Sequence, residues 1–299
     1  MIKNDANLLI SFPEYRFQAI QLTDACQIDY ADVKLHRFPD GESQLILPTN
    51  LPSTMIICRS LNDPNDKLVE LILAAQAARE QGVQKLILVA PYLCYMRQDK
   101  AFHPGEVVSQ KIIGRLLGQL FDVVITVDAH LHRISQLNQA IPLQHAINLT
   151  ATEPMAHFLK NRFKRPLLIG PDSESEQWVQ AIARQQHLDF VVAEKQRLGD
   201  TEVVVSLPAA DYAQRDIVMV DDVASTGKTL LAVAKQLQQF QPSSINVLVN
   251  HALFVNDAVE QLYRHGVNHI WSCDSIPHSS NAIRLAPMLA ECLAPFLTD

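Results

Sequence analysis

Seven continuous apolar runs, each leading into a polar loop or an amphipathic stretch, most narrow the folds open to this chain. They are MIICRS, KLILVAP, VVITVDA, PLLIGPD, FVVAEK, IVMVDD and INVLVNHAL. A strand with one wet face alternates apolar and polar residues. A strand that is apolar throughout needs cover on both faces, which predicts parallel sheets flanked by helices. Amphipathic stretches over Asp66–Gln81, Val108–Leu120, Glu153–Asn161, Ser175–Gln186, Lys228–Phe240 and Val255–His265 supply those helices. The segments LILVAPYLCYMRQD…VVSQKIIGRLL and IVMVDDVASTGKTLLAVAKQL share one plan of buried strand, polar loop and helix. A length of 299 residues exceeds one ordinary core. The chain is therefore expected to form two similar α/β domains, 1–149 and 150–299, with the extreme C-terminal segment packing back onto the first. Ligands are expected at the carboxyl ends of the strands.

Composition removes several classes of function. A net charge of −7 argues against a nucleic-acid partner, which calls for a basic surface. No apolar run approaches the roughly 18 residues of a membrane span, so no membrane partner is expected. The start MIKNDANLLISF lacks the apolar core of a secretory signal. Five scattered cysteines without a CxxC pair fit reduced thiols in a cytoplasmic protein.

The stretch IVMVDDVASTGKTL, Ile217–Leu230, carries the most chemistry. Its end imitates the ATPase loop G-x-x-x-x-G-K-[ST], but the position of the first glycine is Asp222, whose carboxylate repels phosphate. The alternative is a strand, an acidic pair and a small-residue loop opening a helix. Backbone N–H groups and hydroxyls of Ser225, Thr226, Gly227 and Thr229 then cradle a phosphate. Asp221 and Asp222 hold ribose hydroxyls, directly or through Mg²⁺. This loop resembles the 5-phosphoribosyl-diphosphate loop of phosphoribosyltransferases and ribose-phosphate diphosphokinases. Ser225 stands where many members carry Asp, and Lys228 where many carry Gly.

Four further segments favour the diphosphokinase branch and extend the resemblance over nearly the whole chain. RFPDGES, Arg37–Ser43, reads locally as a hairpin turn. It also resembles the family's F-x-D-G-E segment, which implies that Phe38, Asp40 and Glu42 meet the adenine of ATP from a neighbouring subunit. PYLCYMRQDKAFHPGE, Pro91–Glu106, resembles the Y-x-R-Q-D run. It implies Arg97 and Gln98 on the ATP phosphates or adenine edge, with Asp99 orienting the arginine. A family acidic site falls here near Phe102, so that role is not carried over. TVDAHLHRI matches the D-x-H metal segment at Asp128 and His130. His130 is implied near the ATP phosphates, as a magnesium ligand or as a hydrogen-bond donor, since Mg²⁺ prefers oxygen. His132 is read as a helix cap or surface residue, not as part of a zinc site. VVAEKQRLGDTEV supplies the family's K-x-R, Lys195 and Arg197, on a mobile loop closing over the transferring phosphates.

LLIGPDSESEQW resembles the ribose 5-phosphate segment, with Asp172 matching as a ligand of the sugar phosphate or its metal. The family's glycine-containing turn is replaced by Ser173–Glu176, which adds two negative charges. Ser173 and Glu176 have the spacing of a capping box. The resemblance implies two phosphoribosyltransferase-like domains, an N-terminal one for ATP and a C-terminal one for ribose 5-phosphate. It implies Asp128, His130 and Asp172 as the metal set for Mg²⁺, and Lys195 and Arg197 as catalytic residues. It further implies a homodimer or higher homo-oligomer with shared ATP sites. The expected reaction moves the β,γ-diphosphoryl group of ATP to ribose 5-phosphate. A phosphoribosyltransferase or a non-catalytic regulatory homologue are the alternatives.

Overall fold

The computed structural model describes the backbone of residues 7–131, 133–198 and 202–297, and their side chains except 195–198 and 202–204. The chain divides into two compact units. One takes the described residues of Met1–Leu149 and Leu285–Asp299, the other those of Thr150–Arg284.

The first unit runs β1 (Asn7–Ser11), α1 (Arg16–Cys26), β2 (Asp29–Asp32), β3 (Lys34–Arg37), β4 (Ser43–Ile46), β5 (Thr54–Cys58), α2 (Pro64–Glu80), β6 (Lys85–Val89), α3 (Ser109–Leu120), β7 (Val123–Val127) and β8 (His145–Leu149). Its main sheet has the order β2-β1-β5-β6-β7-β8, parallel throughout, while β3 and β4 form a separate antiparallel hairpin. Strands β5 and β7 are buried along their whole length, as continuous apolar runs require. Ile10, Met55, Ile57, Leu86 and Leu88 pack with Leu71 and Ala75 of α2 and Leu117 of α3. Each fully buried aliphatic side chain of this kind contributes about 1.5–3 kcal/mol against leaving it in water.

The second unit repeats the plan: α4 (Thr152–Lys160), β9 (Leu167–Gly170), α5 (Glu176–Gln186), β10 (Phe190–Val192), β11 (Glu194–Leu198), β12 (Glu202–Ser206), β13 (Asp216–Ala224), α6 (Lys228–Gln238), β14 (Ser244–Ala252), α7 (Ala258–Arg264), β15 (His269–Cys273) and β16 (Asn281–Ile283). The order β10-β9-β13-β14-β15-β16 is again parallel, and β11 and β12 form an antiparallel ribbon at the place of β3 and β4. A last helix, α8 (Ala286–Leu293), packs against α1 in the first unit.

This shared topology fixes where ligands go. The chain leaves β9 towards β10 and leaves β13 in the opposite direction, towards β14. Loops that diverge from adjacent parallel strands open a crevice at their carboxyl ends. The same switch lies between β1 and β5 in the first unit.

Candidate active site

At the switch point of the second unit, β13 extends through both aspartates to Ala224, two residues beyond the predicted strand end. Leu253 and Phe254 N–H donate to the Ala224 carbonyl at 3.0 and 2.9 Å, and Val255 N–H donates to the Ser225 carbonyl at 3.0 Å. These bonds turn Ser225–Gly227 away from the sheet. Gly227 then takes φ +66° as the N-cap of α6. The first N–H groups of α6 lack acceptors within their own helix, and the first turn carries no acidic residue. That combination suits an anion. Ser225 and Thr229 are half-buried, Thr226 and Lys228 exposed.

Gly227 is required by its backbone. A left-handed φ costs a side chain about 1–2 kcal/mol, and an added Cβ would meet Ala258 Cβ at 3.4 Å. Gly227→Ala is expected to shift the loop and weaken the binding of a phosphate-bearing ligand about tenfold. Calorimetry with a sugar phosphate checks this, and an unchanged affinity would mean that the loop holds no phosphate.

Asp222 and Asp172 are buried and Asp221 is partly so. Burial first, then the charges of Asp222 and Asp172, push the Asp221 carboxyl well above the ordinary carboxylate range. Three acids towards the carboxyl ends of the adjacent strands β9 and β13 are poorly placed for stability and well placed to accept hydrogen bonds from hydroxyls. A carboxyl raised in the native state gives up stability as pH climbs from its unfolded value, near ~4, through its native one. Asp221→Asn is thus expected to raise the urea midpoint near neutrality, with the gain fading as pH falls toward about 4. A larger gain in acid would reverse the sign and count against the cluster.

After β9, the structure corrects the expected cap. Asp172, not Ser173, is the N-cap: its Oδ1 accepts from Glu174 N–H at 3.1 Å, and Ser175 Oγ bonds the Asp172 backbone. An added Cβ at Gly170 would meet Ser175 Oγ at 2.7 Å. Ser173–Glu176 is therefore a tight packed turn, and Glu174 and Glu176 face solvent. Lys195 and Arg197 also differ from expectation: they lie on β11 of an antiparallel ribbon, paired in register with Val205 and Val203. Their side chains, and all of His132, fall outside the described residues.

In the first unit, Asp128 sits at the end of β7 with φ +43°, a conformation Asp tolerates better than most residues. Its N–H donates to the Leu149 carbonyl at 2.8 Å, and Ala129 N–H donates to Asn148 Oδ1 at 2.8 Å. Asp128 is buried and His130 half-buried. Arg97 is exposed. Gln98 spends its amide within the loop, donating to Glu106 Oε1 at 3.0 Å and accepting from Ser109 Oγ at 3.3 Å. The sequence predicts Arg97 as the partner of Asp99; the observed ion pair is with Arg133. Phe38, Asp40 and Glu42 are all exposed at the tip of the β3–β4 hairpin.

Sequence reasoning missed what fills the switch point of the first unit. Arg59, 0% exposed, follows β5, and its guanidinium lies 3.6 Å from the Phe12 ring centre. It donates to Glu14 at 2.7 Å and to Glu70. Lys67 Nζ donates to the Ser60 carbonyl at 2.9 Å and to Asn62 at 3.0 Å. Helix α2 starts like α6, from a left-handed N-cap at Asp63, but Pro64 deletes one of its N–H donors. Buried side chains thus occupy the place of the anion cradle. The signal in the sequence is Glu70, which breaks the apolar pattern of α2 at a position facing the core.

Comparison with known proteins agrees with this duplicated design. The family model described as the N-terminal domain of ribose phosphate pyrophosphokinase matches residues 8–120, and the phosphoribosyl transferase domain model matches 143–288. A ribose-phosphate pyrophosphokinase of Methanopyrus kandleri is 31% identical over 277 residues, spanning 91% of this chain and 94% of that protein. The chain belongs to the ribose-phosphate pyrophosphokinase family. It is an enzyme of that class, and its units are phosphoribosyltransferase-like α/β domains. A second member of the family, from Thermococcus kodakarensis, is 28% identical over 87% of this chain and 91% of its own. In fold, the crystal structure of phosphoribosylpyrophosphate synthetase from Mycobacterium smegmatis matches 97% of this chain and 98% of its own, with a TM-score of 0.83 at 16% identity. No described helix is long and apolar enough to cross a membrane.

Proposed function

We propose that this pyrophosphokinase transfers the β,γ-diphosphoryl group of ATP to the C1 hydroxyl of ribose 5-phosphate, giving phosphoribosyl diphosphate and AMP. The anion cradle at the start of α6, with Asp172, Asp221 and Asp222 beside it, carries this reading. Ser225, Thr226, Gly227, Lys228 and Thr229 hold the 5-phosphate, and the aspartates hold the ribose hydroxyls. The C1 hydroxyl oxygen bonds to the β-phosphorus and its proton passes to solvent, while the bond from that phosphorus to the oxygen shared with the α-phosphate breaks and AMP leaves with that oxygen. Lys195 and Arg197 stabilise charge on the transferring group. Arg97, with its planar guanidinium, binds ATP phosphate. Gln98 and Asp99 shape the loop that carries Arg97 through their bonds to Glu106, Ser109 and Arg133.

The cofactor we propose is Mg²⁺, for which Asp128 in the first unit and, separately, Asp172 in the second are the carboxylates that would serve as ligands. Among the described residues no group of three His, Cys, Asp or Glu side chains is ready to cage a metal. Magnesium keeps several waters and binds through one or two carboxylates together with substrate phosphates. When bound, Mg²⁺ neutralises the diphosphate oxygens. His130, a nitrogen donor, suits a hydrogen bond to phosphate better than a ligand bond to Mg²⁺.

We assign ATP to the first unit and ribose 5-phosphate to the second, Thr150–Arg284. Phe38, Asp40 and Glu42 serve the nucleotide bound to a second copy of the chain, which makes the working form a homo-oligomer. The five scattered cysteines, without a CxxC pair, support a cytoplasmic enzyme. A transferase consuming phosphoribosyl diphosphate shares the cradle but gives no task to Phe38–Glu42 or to Lys195 and Arg197.

Chromatography of a mixture of ATP, Mg²⁺ and ribose 5-phosphate tests this. AMP that forms only with the sugar phosphate supports diphosphoryl transfer. Consumption of phosphoribosyl diphosphate with a free base, and no AMP from ATP, would favour the transferase.

A further inference from the structure

The β3–β4 hairpin closes on the cross-strand pair Arg37–Ser43, and the tip Phe38–Glu42 projects from it. The tip is internally folded. Phe38 N–H donates to the Glu42 carbonyl at 2.8 Å, Gly41 N–H to the Phe38 carbonyl at 2.9 Å, and Glu42 N–H to Asp40 Oδ1 at 3.2 Å. Phe38 packs edge-on against His36 at 4.8 Å, though 41% of it is exposed. The two strands stand outside the six-stranded sheet, and beyond their own ladder they depend on Leu35 and Leu45 packing on the core and on polar ties to α2. Where the tip sits therefore depends on what holds its stem.

A single buried carboxylate holds both halves of the closing pair. Ser43 Oγ donates to Glu70 Oε1 at 2.8 Å, and Arg37 Nη2 donates to the same oxygen at 3.2 Å. The other Arg37 nitrogen pairs with Asp66, one turn earlier on α2, at 3.0 Å. Glu70 is 0% exposed, and its second oxygen accepts from Arg59. Arg59 would suffice to neutralise Glu70. The two further donors come from the cross-strand pair next to the tip.

We propose that Glu70 is a positioning residue for the nucleotide: by gripping Arg37 and Ser43 it sets the place and rigidity of the Phe38–Glu42 tip, and through it the affinity for ATP. This rests on the diphosphokinase reaction and on contact between the tip and ATP. A tip ordered in advance spares the nucleotide the cost of ordering it on binding. Such a clamp acts on bound substrate and transition state alike, so it moves KM and leaves kcat.

The test is Arg37→Ala/Ser43→Ala, which releases the hairpin while leaving Glu70 paired with buried Arg59. Expected are an ATP KM and calorimetric Kd raised about tenfold, with kcat and the ribose 5-phosphate KM within about twofold of wild type. Hydrogen exchange should speed up over residues 36–46 and stay unchanged in β5 and β6. Ser43→Thr, which keeps the hydroxyl, should restore wild-type values. Glu70→Gln, where it folds, should give the same split. Unchanged hydrogen exchange would show that Glu70 does not hold the hairpin. Faster exchange with unchanged ATP affinity would show that the tip does not serve the nucleotide. Either result overturns the proposal. Calorimetry needs no turnover, so a wild type that makes no AMP counts against the reaction while the Glu70 comparison stays readable.

Discussion

Lys195→Ala is expected to lower kcat by about 10²–10³-fold while the KM for ribose 5-phosphate stays within about threefold. Charge builds on the β-phosphoryl oxygens only as the bond to the α-phosphate loosens. A cation placed there interacts more strongly with the transition state than with bound substrate, so its loss falls on kcat. In the proposed reaction the sugar phosphate is held instead by the α6 cradle and the three aspartates. Lys195 belongs to a ribbon strand paired to β12 in regular register, so alanine there removes a charge without deleting a ladder hydrogen bond. A normal kcat with a raised ribose 5-phosphate KM would make Lys195 a binding residue only.

The largest effect on stability is expected at Arg59. Arg59→Met should cost about 3–5 kcal/mol, because it leaves the fully buried Glu70 without its main countercharge. Arg59 also donates to the Lys67 carbonyl at 3.3 Å and tethers Glu14. The double variant Arg59→Met/Glu70→Leu should recover most of that loss, since it removes the charge with its partner. Burial alone would raise the Glu70 carboxyl. The hydrogen bonds from Arg59 and Ser43 and the charges of Arg59 and Arg37 outweigh it and hold the group below its ordinary value. A depressed carboxyl contributes stability that is present above its unfolded value and lost as pH falls through its native one. Urea unfolding should therefore show the gap between wild type and Arg59→Met narrowing in acid. A constant gap would mean that packing against Phe12, rather than charge, is what Arg59 supplies.

Much of the fold was legible because parallel strands buried on both faces leave a continuous apolar signature. The apolar stretches MIIC, VVITV and IVMVDD lie within β5, β7 and β13, and the polar ends of the first two runs lie just beyond their strands. The opening β1–α1 unit escaped notice. Helix α1 has little amphipathic contrast and leaves Phe17 and Ile20 exposed, while Asn7–Ser11 is short. The phosphate loop could be read because small residues and a left-handed glycine at a helix start have a local physical cause. Long-range pairing had no such trace: Asp99 meets Arg133 and Glu70 meets Arg37, Ser43 and Arg59 only once the chain is folded. The ribbon carrying Lys195 and Arg197 looked like a loop because its charged residues interrupt the apolar pattern.

The most direct test of diphosphoryl transfer is to follow the phosphorus of ATP by ³¹P NMR with Mg²⁺ and ribose 5-phosphate. The expected spectrum gains a diphosphate ester on the sugar and the signal of AMP in equal amounts, with no ADP. Growth of ADP, or AMP that forms equally well without ribose 5-phosphate, would contradict it.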